Sequence, residues 1–251
     1  MSAAGHNVNN NFFEGQYKHL WRLYIPEELT RRELDFIIQY FGLASGDHIL
    51  DIMCGYGRHS TGLARKEMKV TAVDNLKDYI DEINEISIKE KLSLKGIQSD
   101  VLKYTSAEVF DLAVCMGNSI NFFSEDDCIR LMKAVAGNLK TGGCFLINTW
   151  SLAETVIKDF TEKSWTFNGN YKLLSDSSFL FEPTRIETEF TIIGEDGATE
   201  VKQAVDYIYS YSEMKKMLEL SGFVLKEVFS IPGKKKFAVG EPRAYIIAEK
   251  K

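Results

Sequence analysis

The 251-residue chain lacks any excess of basic residues. Lys and Arg total 30 against 36 Asp and Glu, a formal charge of −6 at pH 7. Phosphate binding needs a basic face, so this balance argues against a nucleic-acid partner. The sequence also lacks an apolar run of the roughly 20 residues that a membrane span requires. Its start, Met1 to Phe13, is polar and Asn-rich, without the basic and apolar regions of a secretory signal. The four cysteines, Cys54, Cys115, Cys128 and Cys144, are widely spaced and make neither a CxxC pair nor a disulfide framework. These absences predict a chain of the reducing cytoplasm, with no metal centre and no membrane partner.

What is present is an alternation of apolar runs with helical stretches, the pattern of an α/β fold. Hydrophobic residues make up 45% of the chain, enough for a sizeable core. Thr30 and Glu33 read as a capping box opening a helix through Phe41. Strands are expected at 48–53, 69–73, 96–99, 110–116 and 144–150, with helices at 58–66, 77–91 and from Asp126 to the Thr141–Gly143 turn. The strands are mostly continuous apolar runs, as expected when helices cover both sheet faces. After residue 160 the pattern turns antiparallel, with strands at 171–182, 185–193 and 198–211. The α/β rhythm then resumes with a helix at 212–220 and strands at 223–230 and 244–249. Three parts follow: an N-terminal segment (1–29), an α/β domain (30–160 and 211–251) and an antiparallel insertion (161–210).

The segment His48-Ile-Leu-Asp-Ile-Met-Cys-Gly-Tyr-Gly-Arg-His-Ser60 carries the chemistry. A buried strand ends in a glycine turn, and a helix begins at once. Gly55 and Gly57 let a ligand approach bare backbone, or merely make a tight connection. Asp74 closes the neighbouring strand, where a ribose lies in doubly wound sheets, and Asp100 closes the next, within reach of an adenine amino group. Each acid alone also reads as a helix cap. Three strand ends with matching chemistry favour the ligand.

The run Ile-Leu-Asp51-Ile-Met-Cys-Gly55-Tyr-Gly57-Arg-His resembles motif I of the class I S-adenosylmethionine-dependent methyltransferases. Its Gly-Arg-His-Ser ending is similar to a bacterial small-molecule branch. Phe110 to Asn118 resembles the strand beside the methionine end of the cofactor, and Leu139 to Gly143 the turn before strand five. The resemblance implies a Rossmann-like seven-stranded sheet of order 3-2-1-4-5-7-6 with strand seven antiparallel. It implies S-adenosyl-L-methionine as cofactor, held by Asp51, Cys54, Gly55, Gly57, Asp74, Asn75, Asp100, Val101 and Met116. Cys54 stands where many members carry a third glycine. The insertion is similar to that of amino-sugar N-methyltransferases and glycine N-methyltransferase-like enzymes, where it roofs the active site.

In similar enzymes an aromatic N-terminal segment folds over the cofactor. That implies roles for Tyr17 and Arg22 at the cofactor and Tyr24 at the substrate, with Trp21 beside them; the plain alternative is a packed helix. His59 is the candidate general base or a packing residue. Asn118, Trp150 and Tyr209 are substrate-side candidates, Tyr209 standing in a Tyr207–Tyr209–Tyr211 stripe. Lys234 to Lys236 reads as a solvated loop. The expected activity is methylation of a nitrogen or oxygen on a small molecule. Its rivals are an NAD-dependent oxidoreductase and a non-catalytic binder of the same cofactor. Whether the chain forms a homodimer stays open.

Overall fold

The structure is a computed structural model that describes residues 7–251. Positions 1–6 of the expected N-terminal segment lie outside it. In chain order the main elements are α1 (Gln16–Tyr24), α2 (Glu27–Phe41), β1 (His48–Ile52), α3 (Arg58–Ala64), β2 (Lys69–Asp74), α4 (Lys77–Glu90), β3 (Leu94–Gln98) and β4 (Phe110–Cys115). They continue with α5 (Glu125–Asn138), β5 (Leu139–Thr149), α6 (Ala153–Val156), β6 (Lys163–Asn168), β7 (Tyr171–Phe181), β8 (Thr184–Ile193) and β9 (Thr199–Tyr207). The chain finishes with α7 (Tyr211–Leu220), β10 (Phe223–Ile231), β11 (Lys235–Lys236) and β12 (Ala244–Lys250).

The main sheet runs β11-β10-β12-β5-β4-β1-β2-β3. Strands β1 to β5 are parallel, and β12 enters antiparallel between β5 and β10. With β10 and β12 as strands six and seven, this is the expected 3-2-1-4-5-7-6 order. The two-residue β11 is added at one edge, where the lysine run pairs with β10 instead of forming a loop. Ile49, Leu112, Val114 and Ile247 face one core with Phe36, Ile37, Leu63 and Ile83. Leu50, Ile52, Ala113 and Ile246 face the other with Leu131, Met132, Met214 and Leu218. Alternate strand residues thus feed two cores, which is why the strands read as unbroken apolar runs.

The insertion forms a separate antiparallel sheet of order β6-β7-β8-β9. Its inner face carries Leu173, Ile192 and Ala204 onto Phe12, Tyr17 and Leu20 of the N-terminal segment. Several boundaries differ from the sequence expectation. Helix α2 starts at Glu27 behind Pro26, so Thr30 and Glu33 lie inside it and form no capping box. The capping box of this chain is Ser210 with Glu213, ahead of α7. Helix α5 is capped by Ser124 and ends at Asn138, leaving Thr141–Gly143 within β5. Strand β3 begins at Leu94, β9 stops at Tyr207, and β6 is a fourth insertion strand.

The glycine turn between β1 and α3 is fixed by backbone geometry. Gly57 takes φ +77° as the residue preceding α3, and a Cβ there would stand 2.6 Å from Ile83 of α4. Gly55 takes φ +54°, but a Cβ there would meet nothing within 4 Å. Gly57→Ala therefore carries both a left-handed backbone and a collision, whereas Gly55→Ala carries the backbone cost alone. We expect Gly57→Ala to lose about 2–4 kcal/mol and Gly55→Ala about 1 kcal/mol in urea unfolding. Equal losses would show that the contact with Ile83 does not matter.

Candidate active site

A cleft opens at the carboxyl ends of β1, β2 and β4, enclosing about 1120 Å³ with the open space at its mouth included. Met53 and Cys54 continue β1 into it, and Met53 adopts φ +53°, unusual for a side chain of its size. Asp51, Gly55, Asp74, Asn75, Asp100, Val101 and Met116 line it, as do His59 and Trp21. The two tyrosines Tyr56 and Tyr79, and Phe13, Phe122 and Phe123, complete an aromatic wall.

Asp74 organises the glycine turn. Gly55 donates its N–H to Oδ2 at 2.8 Å, and Leu76 donates to Oδ1 at 3.0 Å. A carboxylate offers roughly four lone-pair sites, so acceptor capacity is left over on the cleft side. Burial pushes this carboxyl above its usual range, against the pull of the Leu76 and Gly55 amides. Asp51 is deeper, and Ser60 donates its hydroxyl to Oδ2 at 2.5 Å. Burial pushes Asp51 up to about 7. Asp100 is exposed, accepts the Leu102 N–H at 3.0 Å and lies 3.2 Å from Lys103. Cys54 is a neutral thiol, its pKa raised by burial and by the charges of Asp74 and Asp51. Three acids thus rim a largely buried cleft and favour a ligand with hydroxyl or amino donors and positive charge.

The cation nearest the glycine turn is already committed. Arg58 donates to Glu33 at 2.5 Å, His59 Nε2 lies 3.0 Å from the same carboxylate, and the Tyr245 hydroxyl donates to it at 2.7 Å. Burial pushes Glu33 up, but the His59 contact, the Arg58 charge and Tyr245 outweigh it and hold the carboxyl down at about 2. Burial, then the Arg58 charge, lower His59 to about 4. At neutral pH the imidazole is therefore uncharged and gives its Nε2 proton to Glu33, while Arg58 supplies the compensating charge. Glu33 stands in mid-helix on α2, and no local spacing marks it.

Several expected site residues do not reach the cleft. Gly57 closes the turn from behind. Tyr17 is buried between Phe12 and Phe190 against the inserted sheet. Arg22 pairs with Glu82 at 2.5 Å and covers the outer face of Tyr56. Tyr24 packs in the same cluster as Tyr17. Tyr209 is a core residue whose hydroxyl donates to the Phe123 carbonyl at 2.6 Å, and the tyrosine stripe breaks where β9 ends. Trp150 is half-buried, its ring 6.1 Å from that of Trp21. Asn118 is a buried junction: it donates to Ser151 and Asp206, each at 2.8 Å, and accepts from Thr149, Trp150 and Ser151.

The asparagine-rich start, within the segment expected to cover the cofactor, is part of the wall. Asn7, Asn9 and Asn10 line the cleft. Asn9 both donates to the Val205 carbonyl at 2.8 Å and accepts its N–H at 3.0 Å, and Asn7 donates to Phe122.

Removing Glu33 would leave Arg58 buried without its counter-charge, so Glu33→Gln should cost about 3–5 kcal/mol in denaturant unfolding at pH 7. A folded-state pKa near 2 against 4.5 unfolded means that the ionised carboxylate stabilises above pH 4.5 and ceases to as pH falls towards 2. The gap between wild type and Glu33→Gln should therefore narrow over that range. A gap independent of pH would show that the charge is not what stabilises.

Residues 49–143 match the family model described as a methyltransferase domain. A ubiquinone biosynthesis O-methyltransferase of Rickettsia felis is 24% identical over 155 residues, covering 59% of this chain and 58% of that protein. A glycine N-methyltransferase of Oryctolagus cuniculus is 24% identical over 170 residues, covering 59% and 56%. The chain thus spans under three fifths of the length of these curated relatives. Among solved structures, an S-adenosylmethionine-dependent methyltransferase from Clostridium acetobutylicum superposes with a TM-score of 0.81 at 20% identity, covering 93% of this chain and 96% of that one. Antiparallel β12 between β5 and β10 sets the sheet apart from the 3-2-1-4-5-6 sheet of nicotinamide dehydrogenases. Residues 49–143 thus resemble a methyltransferase domain, and the chain has the fold of class I S-adenosylmethionine-dependent methyltransferases.

Proposed function

We propose that the chain is a methyltransferase that transfers the methyl group of S-adenosyl-L-methionine to a small-molecule nitrogen or oxygen, with nitrogen favoured. The observation that carries this reading is the set of carboxylates Asp51, Asp74 and Asp100 around the bare backbone of Gly55, in one cleft. The fit of the cofactor is supported by the open space over Gly55 and by the spare acceptor capacity of Asp74. In this reading Asp74 receives the ribose hydroxyls and Asp100, beside Val101, the adenine amino group. Asp51 and the backbone near Met116 face the methionine end. When bound, the cofactor supplies an electrophilic methyl group.

The protein's own contribution is positioning and exclusion of water. The N-terminal segment and Trp21 cover the cleft, and residues 161–210 act as its lid on the acceptor side. Tyr17 and Arg22 serve by holding α1 in place, Tyr17 against the lid and Arg22 against Glu82. His59 is bound to Glu33, so a hydroxyl acceptor finds no free imidazole base here. An amine needs only to lose its extra proton, which favours nitrogen. Relatives include both an O- and an N-methyltransferase.

Titration calorimetry with S-adenosylhomocysteine tests the cofactor assignment. Wild type should bind it and not NADH. Asp74→Ala, which removes hydrogen bonds to a charged acceptor, should bind about 10–100-fold more weakly. Binding of NADH alone would end the proposal. Release of S-adenosylhomocysteine during incubation with a metabolite pool separates an enzyme from a protein that only binds the cofactor.

A further inference from the structure

Asp206 is an acid for which neither the fold nor the cofactor reading has a use. It sits near the end of β9, on the inner side of the inserted sheet with Ala204, and is only partly accessible. Asn118 donates to its Oδ1 at 2.8 Å. The Ser151 hydroxyl is a second neutral donor to the carboxylate, and neither Asp206 oxygen is among the fully enclosed polar atoms without a partner. Among the described residues no lysine, arginine or histidine acts on it. The titratable side chain that feels its charge is Tyr17 of α1; the groups contributed by the β4 and β5 ends, Asn118 and Ser151, are neutral. Burial accordingly pushes its carboxyl up to about 7. A carboxylate held out of bulk water without a cation is costly to a fold and is commonly kept for a ligand that supplies one.

The surroundings say which ligand. Asn118 follows Met116 and Gly117, which line the cleft at the end of β4. Trp21 packs over Gly117, its ring lies 6.1 Å from that of Trp150, and Tyr17 stacks on Trp21 at 6.4 Å. Asp206, bonded to Asn118 and acting on Tyr17, therefore stands on the lid side of the residues that carry this aromatic corner beside the cleft. A lone carboxylate beside aromatic faces suits an organic ammonium group.

We infer that Asp206 is the acceptor-binding carboxylate, holding the ammonium group of an amine substrate and taking its proton before methyl transfer. This rests on the methyltransferase reading above and names its substrate class. One N–H bond of the ammonium breaks, its electron pair stays on nitrogen, and the proton goes to the Asp206 carboxylate. The freed pair then forms the N–CH3 bond while the S–CH3 bond breaks and leaves its electrons on sulfur. The product is an N-methylammonium ion and a neutral thioether, and Asp206 returns its proton to solvent as the site opens.

The test uses the full chain saturated with S-adenosylhomocysteine and two matched probe pairs, cyclohexylamine with cyclohexanol and glucosamine with glucose. By calorimetry, at least one amine should bind about tenfold more tightly than its hydroxyl counterpart. In Asp206→Asn, whose amide oxygen still accepts from Asn118, that preference should fall to about twofold or less with homocysteine-product affinity unchanged. In parallel, the Asp206 carboxyl 13C resonance of wild type should move on adding the amine and not the alcohol, a readout that does not depend on the variant folding. No amine preference in wild type, a preference that survives in Asp206→Asn, or an unmoved Asp206 resonance would each overturn the inference. Failure of S-adenosylhomocysteine itself to bind would instead overturn the cofactor reading, and this inference with it.

Discussion

The buried carboxylate of Glu33 is the constraint on which the site geometry depends. It joins α2, the first turn of α3 and β12 through Arg58, His59 and Tyr245. Arg58 and His59 directly follow the glycine turn, so fixing them fixes where that turn presents its backbone. Asp74 completes the arrangement from the other side by holding the Gly55 N–H. The turn is thus held between two acids with opposite fates. Glu33 is fully compensated and serves the fold; Asp74 retains acceptor capacity for a ligand.

This division explains how the cleft remains acidic beside an arginine. Arg58 lines it, yet it pairs with Glu33, and its charge does not overcome the burial of Asp51. Burial of Asp51 outweighs both the Ser60 hydrogen bond and the Arg58 charge, so its pKa is raised. A ligand bearing positive charge would relieve that burial cost, whereas a phosphate-rich dinucleotide would add to it. The electrostatics and the antiparallel β12 therefore point the same way.

Much of this was legible in the sequence, for physical reasons. Strands buried on both faces print continuous apolar runs, and acids at their carboxyl ends stand out against them. The reading failed where meaning is set by distant partners. Glu33 looked like a local cap to Thr30 because its partners Arg58, His59 and Tyr245 lie 25, 26 and 212 positions away. Strand β6 was missed because it is short and almost wholly exposed, so only Trp165 and Phe167 mark it. Asn118 and Tyr209 were taken for substrate contacts, but their polar atoms are spent inside the protein, on backbone groups and on side chains far off in sequence that leave no trace in local patterning. Asp206 escapes notice because it stands directly before the Tyr207–Tyr209–Tyr211 stripe and its partner Asn118 lies 88 positions away.

The paired bonds between Asn9 and Val205 carry a consequence for how the cleft opens. Strand β9 is the border of the inserted sheet, and a bare border is a template for adhesion to other chains. The Asn9 amide imitates a neighbouring strand and seals that border, using the same segment that walls the ligand cleft. Any displacement of that segment would therefore bare the Val205 amide and carbonyl on the sheet border together with the cleft, so one contact guards both.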